Sequence, residues 1–161
     1  MPSILYLAPC PPGKTFGQAS RVAQIVSGLK AIGHVDLIAV KSPEWLLEIP
    51  PGCGVVDLQR DTARPLWRTF RSAFDARFMG AYGFIAKESD RAAILGKLPR
   101  YDLVWIHSLR VADALQQWRW PRSVMDVDDV PSTWIQTELE SGLGVVGRSR
   151  TWVRWHAARR R

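Results

Sequence analysis

Ile4-Leu5-Tyr6-Leu7-Ala8 is an apolar run without a charge, and Val35-Asp36-Leu37-Ile38-Ala39-Val40 is a second run broken by one aspartate. Between them lie a Pro/Gly-rich loop, residues 9–17, and a segment in which Val22, Ile25, Val26 and Leu29 recur at i, i+3, i+4 and i+7. That spacing places the four side chains on one face of a helix over residues 19–32. Gly33 supplies its C-terminal stop. Strand, helix and strand in succession predict a parallel pair joined by a crossover. The strands are near-continuous rather than alternating, as in a sheet buried on both faces.

The same pattern continues outward. Residues 54–58 read as a short third strand. Residues 60–98 are basic and aromatic, with Phe70, Phe74, Phe78, Tyr82 and Phe84 among charges, and read as two or three helices across the sheet. Residues 102–107 are the clearest later strand, carried by Leu103-Val104-Trp105-Ile106. A helix over 110–118, a turn around Pro121 and a last strand over 123–127 follow. Residues 131–161 read as mostly helical, with breaks at Gly142-Leu143-Gly144 and at Gly147. The expected fold is α/β: a Rossmann-like, doubly wound, mostly parallel sheet of five or six strands with helices on both faces. Ligands of such sheets bind outside the carboxyl ends of the strands, which directs attention to loops 9–20, 107–110 and 126–133.

A chain of 161 residues, 47% apolar, can build one domain with a sizeable core. We assign residues 1–147 to it and residues 148–161 to a basic helical tail. The net charge of +7 resides in that tail, which holds six arginines and no acid, so the body carries +7 − 6 = +1. A basic nucleic-acid-binding face on the body is thereby excluded. Cys10 and Cys53 lack metal-ligand spacing and read as free thiols in a reducing compartment. The start of the chain has no basic n-region, and no apolar run approaches the ~20 residues of a membrane span. A cytoplasmic location is expected.

Three motifs carry candidate chemistry. Ala8-Pro9-Cys10-Pro11-Pro12-Gly13-Lys14-Thr15 has the length and ending of a P-loop. A P-loop holds phosphate with backbone N–H groups, and Pro9, Pro11 and Pro12 have none, so nucleoside-triphosphate binding through Lys14 is set aside. Asp126-Val127-Asp128-Asp129 could hold a metal or supply an aspartyl nucleophile. It could equally face a sugar or donor, or let Asp129 or Ser132 cap a helix near Thr133. Too few residues follow for the later lysine and acidic pair of a haloacid-dehalogenase-type phosphatase. The tail places Trp152 and Trp155 among arginines. It reads as a helix cut off before its packing partner, with an anionic membrane surface and then nucleic acid as the other readings. His107 is the only histidine at a predicted strand end, and a lone histidine is more often a satisfied hydrogen-bonding group than a catalyst. His34 and His156 carry no signal of their own.

Taken together, these pieces resemble the N-terminal domain of GT-B fold glycosyltransferases of the family 4 type. Ile4-Leu5-Tyr6-Leu7-Ala8-Pro9 resembles that family's first strand and loop, and Gly17-Gln18-Ala19-Ser20-Arg21-Val22 its glycine-rich start to the first helix. Gly33-His34 before a strand, Tyr101-Asp102-Leu103-Val104-Trp105-Ile106-His107-Ser108, and residues 123–130 are similar to later stretches of the same domain. Two departures stand out: Gln18 occupies the place of a second glycine, and Asp128-Asp129 that of a His-Asp pair.

The resemblance implies transfer of a sugar from a nucleotide-sugar donor to a lipid-linked or polysaccharide acceptor. It implies no metal and no cofactor other than that donor substrate. Gly17 and Gln18 would face the donor, and Ser20, Arg21, His107, Ser108 and Asp129 would line the acceptor side. The family's catalytic histidine role would fall to Asp128. The donor site of the family lies mainly in a second, C-terminal domain, without which this half is expected to be inactive. Residues 60–100 would shape the acceptor pocket, and peripheral contact with the inner membrane face would come through the basic tail. No nucleic-acid partner is expected. The alternative is a non-catalytic Rossmann-like binding module that docks a protein partner or an anionic surface.

Overall fold

The computed structural model describes residues 1–14, 17–41, 49–60, 84–117 and 119–126. Among them the order is β1 (Ser3–Ala8), α1 (Gly17–Ile32), β2 (His34–Lys41), β3 (Cys53–Arg60), β4 (Phe84–Ala86), α2 (Glu88–Lys97), a 3-10 turn (Leu98–Arg100), β5 (Leu103–His107), α3 (Leu109–Ala114) and β6 (Ser123–Asp126). The six strands form one sheet in the order β4-β3-β2-β1-β5-β6. Every pairing is parallel except β3 with β4. The fold is the expected doubly wound α/β sheet, with an antiparallel edge.

β1 lies between β2 and β5, and successive side chains of a strand point to opposite faces. Ile4, Tyr6 and Ala8 pack with Ala19, Val22, Val26 and Leu29 of α1. Leu5 and Leu7 pack on the other face with Ile94 of α2 and with Val111, Ala112 and Ala114 of α3. All five β1 residues from Ile4 to Ala8 are buried, and each large aliphatic side chain so enclosed contributes roughly 1.5–3 kcal/mol.

Two sequence expectations are corrected. Phe84 was expected on a helix but opens β4, pairing with Arg60 in the antiparallel register that also joins Ile85 to Gln59. Cross-strand pairing with β3 decides the outcome over local propensity. The helix expected over 110–118 is α3, which stops at Ala114 because Gln116 takes a left-handed φ of 50°. Gly33 ends α1 for a reason other than a left-handed φ. A Cβ there would lie 2.5 Å from the Pro2 carbonyl oxygen and 2.9 Å from Ile4 Cδ1. Only a bare backbone lets His34 N–H donate to Pro2 O at 2.9 Å and start β2 beside β1. Residues 61–83, the catalytic candidate Asp128, Asp129, the two glycine breaks and the arginine-rich tail lie outside the described residues. No helix among the described residues is long and apolar enough to cross a membrane.

The amino ends of the strands are pinned by polar contacts. Ser3 N–H and Oγ donate to Asp102 Oδ2 at 2.8 and 3.0 Å, tying β1 to the start of β5. The Ser3 hydrogen bonds, backbone first, hold the Asp102 carboxyl below the usual carboxylate range. Tyr101 donates to Asp36 Oδ2 at 2.7 Å. Burial pushes the Tyr101 hydroxyl up to about 12, and the bond to Asp36 and its charge add to the rise.

Two expectations follow from this packing. Gly33→Ala should lower stability in urea denaturation by about 1–3 kcal/mol, the usual cost of forcing atoms into a filled site; an unchanged midpoint would contradict the close approach. Because the folded state holds the Tyr101 proton more tightly than the unfolded chain, that contribution is complete below the ordinary tyrosine value of 10.0 and is lost as pH rises toward about 12. Tyr101→Phe should therefore flatten the decline in stability over that window, whereas parallel pH profiles would show that the bond contributes nothing.

Candidate functional site

In the strand order, β2 and β3 lie on one side of β1 and β5 and β6 on the other. The connections after β1 and β5 therefore diverge, leaving a crevice at the carboxyl ends of these two strands where ligands of open α/β sheets bind. Two of the three loops singled out from sequence open here. The third begins at Asp126 and passes out of the described residues.

Among its described residues the loop after β1 offers few backbone donors to a phosphate. Pro9, Pro11 and Pro12 lack donors, and the Gly13 N–H is committed to Ala19 O at 3.1 Å. Lys14 is exposed and Cys10 is buried. Burial pushes the Cys10 thiol up to about 11, with Cys53 adding to the rise, far from the thiolate a nucleophile requires. Cys53 begins β3 rather than lying in a loop, and both cysteines are free. Among the described residues, no three His, Cys, Asp or Glu side chains assemble in a metal-binding group.

α1 begins at Gly17, two residues earlier than its apolar periodicity indicates, so Gly17, Gln18 and Ser20 occupy its first turn. Gly17 is exposed, and a Cβ there would meet nothing within 4 Å. Gln18 and Ser20 are half-buried and Arg21 is exposed. The first turn holds no acidic side chain, so no carboxylate within it offsets the partial positive charge of the helix N-terminus.

β5 supplies the crevice floor. Leu7 pairs with Ile106, so His107 lies one step beyond and shares the α1 face with Tyr6. Both rings are fully buried, stacked with centroids 6.0 Å apart and planes 23° apart. The Tyr6 hydroxyl lies 2.6 Å from His107 Nδ1. When the hydroxyl donates, Nδ1 carries no proton and the ring's N–H is at Nε2. Sequence alone identified His107 as a strand-end residue but gave no sign of Tyr6, which lies about a hundred positions away in the chain.

Ser108 follows with φ 79° and ψ 151°, a region that only glycine enters without strain. Its Oγ is buried without a hydrogen-bond partner among the described residues. Its N–H donates to Asp126 O at 2.8 Å, and its carbonyl accepts from Val111 N–H at 3.3 Å. The strained turn is therefore anchored to β6 on one side and to α3 on the other.

Asp126, the last residue of β6, pairs in register with His107. Arg21 Nη2 donates to its Oδ1 and Oδ2 at 3.1 and 3.2 Å. This ion pair joins α1 to the strand beyond β5. Sequence placed Asp126 in an acidic run and Arg21 on the acceptor side, but nothing in it signalled the bridge. Gly17, Gln18, Ser20 and Arg21 thus begin the helix that follows β1, His107 and Ser108 end β5, and the Arg21–Asp126 pair links the two stretches, while Asp128 and Asp129 lie beyond the described residues.

No protein-family model matches the chain, and neither does any curated protein or solved structure.

The backbone at Ser108 yields a measurable expectation. Ser108→Gly removes a strain of roughly 1–3 kcal/mol, against a smaller penalty from the greater freedom of the unfolded chain. Its thermal midpoint should rise by a few degrees, and a fall would show that the serine side chain stabilises the turn it strains.

Proposed function

We propose that this chain is the acceptor-side domain of a GT-B type glycosyltransferase, which binds a lipid-linked or polysaccharide acceptor and relies on a second domain for the nucleotide-sugar donor. The observation that carries the reading is a convergence. Those described residues that the family resemblance assigns to ligand contact fall in two stretches nearly ninety positions apart in sequence, 17–21 and 107–108: the first opens the helix that follows β1, the second ends β5, and Arg21 of the first reaches Asp126, the register partner of His107. The crevice offers hydroxyl, amide and guanidinium groups and has a proline-rich wall poor in phosphate-binding N–H groups, which suits a polyhydroxylated ligand better than a triphosphate.

In this reading the Ser20 and Ser108 hydroxyls and the Arg21 guanidinium contact acceptor hydroxyls, and Gln18 faces the donor side. His107, held by Tyr6, orients the strand end beneath them. Transfer itself takes place by positioning and electrostatics between two domains, with Asp128 as the catalytic candidate.

Calorimetric titration with short oligosaccharides, UDP-glucose and ATP tests the proposal. Weak, millimolar-range binding of an oligosaccharide (on the order of −4 kcal/mol), reduced several-fold in Arg21→Ala, is expected. No sugar turnover should accompany it. Tight ATP binding with no response to any glycan would overturn the assignment.

A further inference from the structure

Tyr6 and His107 form a polar pair on an otherwise apolar face of the sheet. β1 and β5 run side by side, with Tyr6 opposite Trp105 and Leu7 opposite Ile106. His107 therefore stands two steps beyond the partner of Tyr6, on the same face. Tyr6 packs there with Ala19, Val22 and Val26 of α1. Both side chains of the pair are fully buried, and their rings stack with centroids 6.0 Å apart. An unsatisfied donor or acceptor is costly in such a place, so which atom holds the shared proton is fixed by the contact rather than by solvent.

We infer that Tyr6 is a positioning residue for His107: its hydroxyl donates to Nδ1 and holds the imidazole in the neutral form that carries its proton on Nε2. The separation decides the direction of the bond. The hydroxyl oxygen and Nδ1 lie 2.6 Å apart. An N–H donor usually stands about 2.7–3.2 Å from an oxygen, whereas hydroxyl donors reach about 2.5 Å with oxygen acceptors. A proton on Nδ1, whether of a neutral ring or of an imidazolium, would call for the longer spacing. Tyr6 and His107 each have further interactions, and the assignment constrains these without needing their absence. A hydrogen-bond partner at Nε2 must accept, and any second hydrogen-bond partner of the Tyr6 hydroxyl oxygen must donate. With Nδ1 occupied by Tyr6 and Nε2 protonated, His107 acts on its surroundings as a donor and has no lone pair to offer. The consequence for the reaction rests on the glycosyltransferase reading: His107 is then no general base, and any proton-accepting role falls to another group.

Long-range proton–nitrogen NMR of the full, nitrogen-15-labelled chain at about pH 7 tests the assignment, because it reports which ring nitrogen of a histidine is protonated. The His107 signals are identified by their loss in His107→Gln. In the wild type, Nε2 should show the shift of a protonated nitrogen and Nδ1 that of a bare one. In Tyr6→Phe, which keeps the ring and removes the hydroxyl, the two shifts should move toward each other as the imidazole samples both tautomers. A purely structural role for Tyr6 would move the thermal midpoint and leave these shifts in place. A wild-type spectrum with the proton on Nδ1, or on both nitrogens, would overturn the proposal without recourse to any variant. Unchanged His107 shifts in a folded Tyr6→Phe would overturn it too, by showing that another contact fixes the ring. Neither failure touches the glycan titration, which reads ligand binding and not the state of this ring.

Discussion

β1 must be apolar on both faces, and the remaining architecture depends on that requirement. A strand in the middle of a parallel sheet is covered from two sides, so Leu5 and Leu7 need α2 and α3 while Ile4, Tyr6 and Ala8 need α1. Chain connectivity then does the sorting: α1 returns the chain to β2 on one flank of β1, and β5 and β6 fill the other. The crevice at the carboxyl ends of β1 and β5 is a consequence of that division.

Within this frame a strained turn at Ser108 joins the core to the surface. His107 belongs to the buried sheet, through its stacking on Tyr6 and the bond to the tyrosine hydroxyl. Ser108, one residue later, turns the chain toward α3 at a φ of 79° and keeps a buried hydroxyl without a partner among the described residues. Strained backbone and unsatisfied buried groups are costly, and folded proteins retain them where surrounding structure over-determines them and function draws on them. Two such features on one residue, at the crevice of a doubly wound sheet, make Ser108 the centre of the functional account.

The fold was legible because its signals are local. Apolar runs at 4–8, 35–40 and 102–107, with one helical stripe at Val22, Ile25, Val26 and Leu29, suffice to specify parallel strands and a crossover. β4 escaped because three residues in an aromatic stretch carry no period of their own, and only pairing with β3 makes Phe84–Ala86 a strand. The site was half legible. The strand-end positions of His107 and Ser108 could be read directly, yet the Tyr6 hydroxyl bond and the Arg21–Asp126 pair join residues 101 and 105 positions apart. Contacts of that kind depend on register and strand order, which one sequence does not encode locally. The Ser108 conformation is likewise imposed from outside, by the anchors to Asp126 and Val111.

The central claim is that ligand enters at the end of β5, beneath the first turns of α1. Photocrosslinking with a diazirine-bearing oligosaccharide, followed by peptide mapping, tests it most directly. The account predicts label concentrated in the peptides that carry residues 17–21 and 107–110, and competed away by the unmodified sugar. Label confined to the arginine-rich segment 148–161, or to the β4 edge of the sheet, would contradict it.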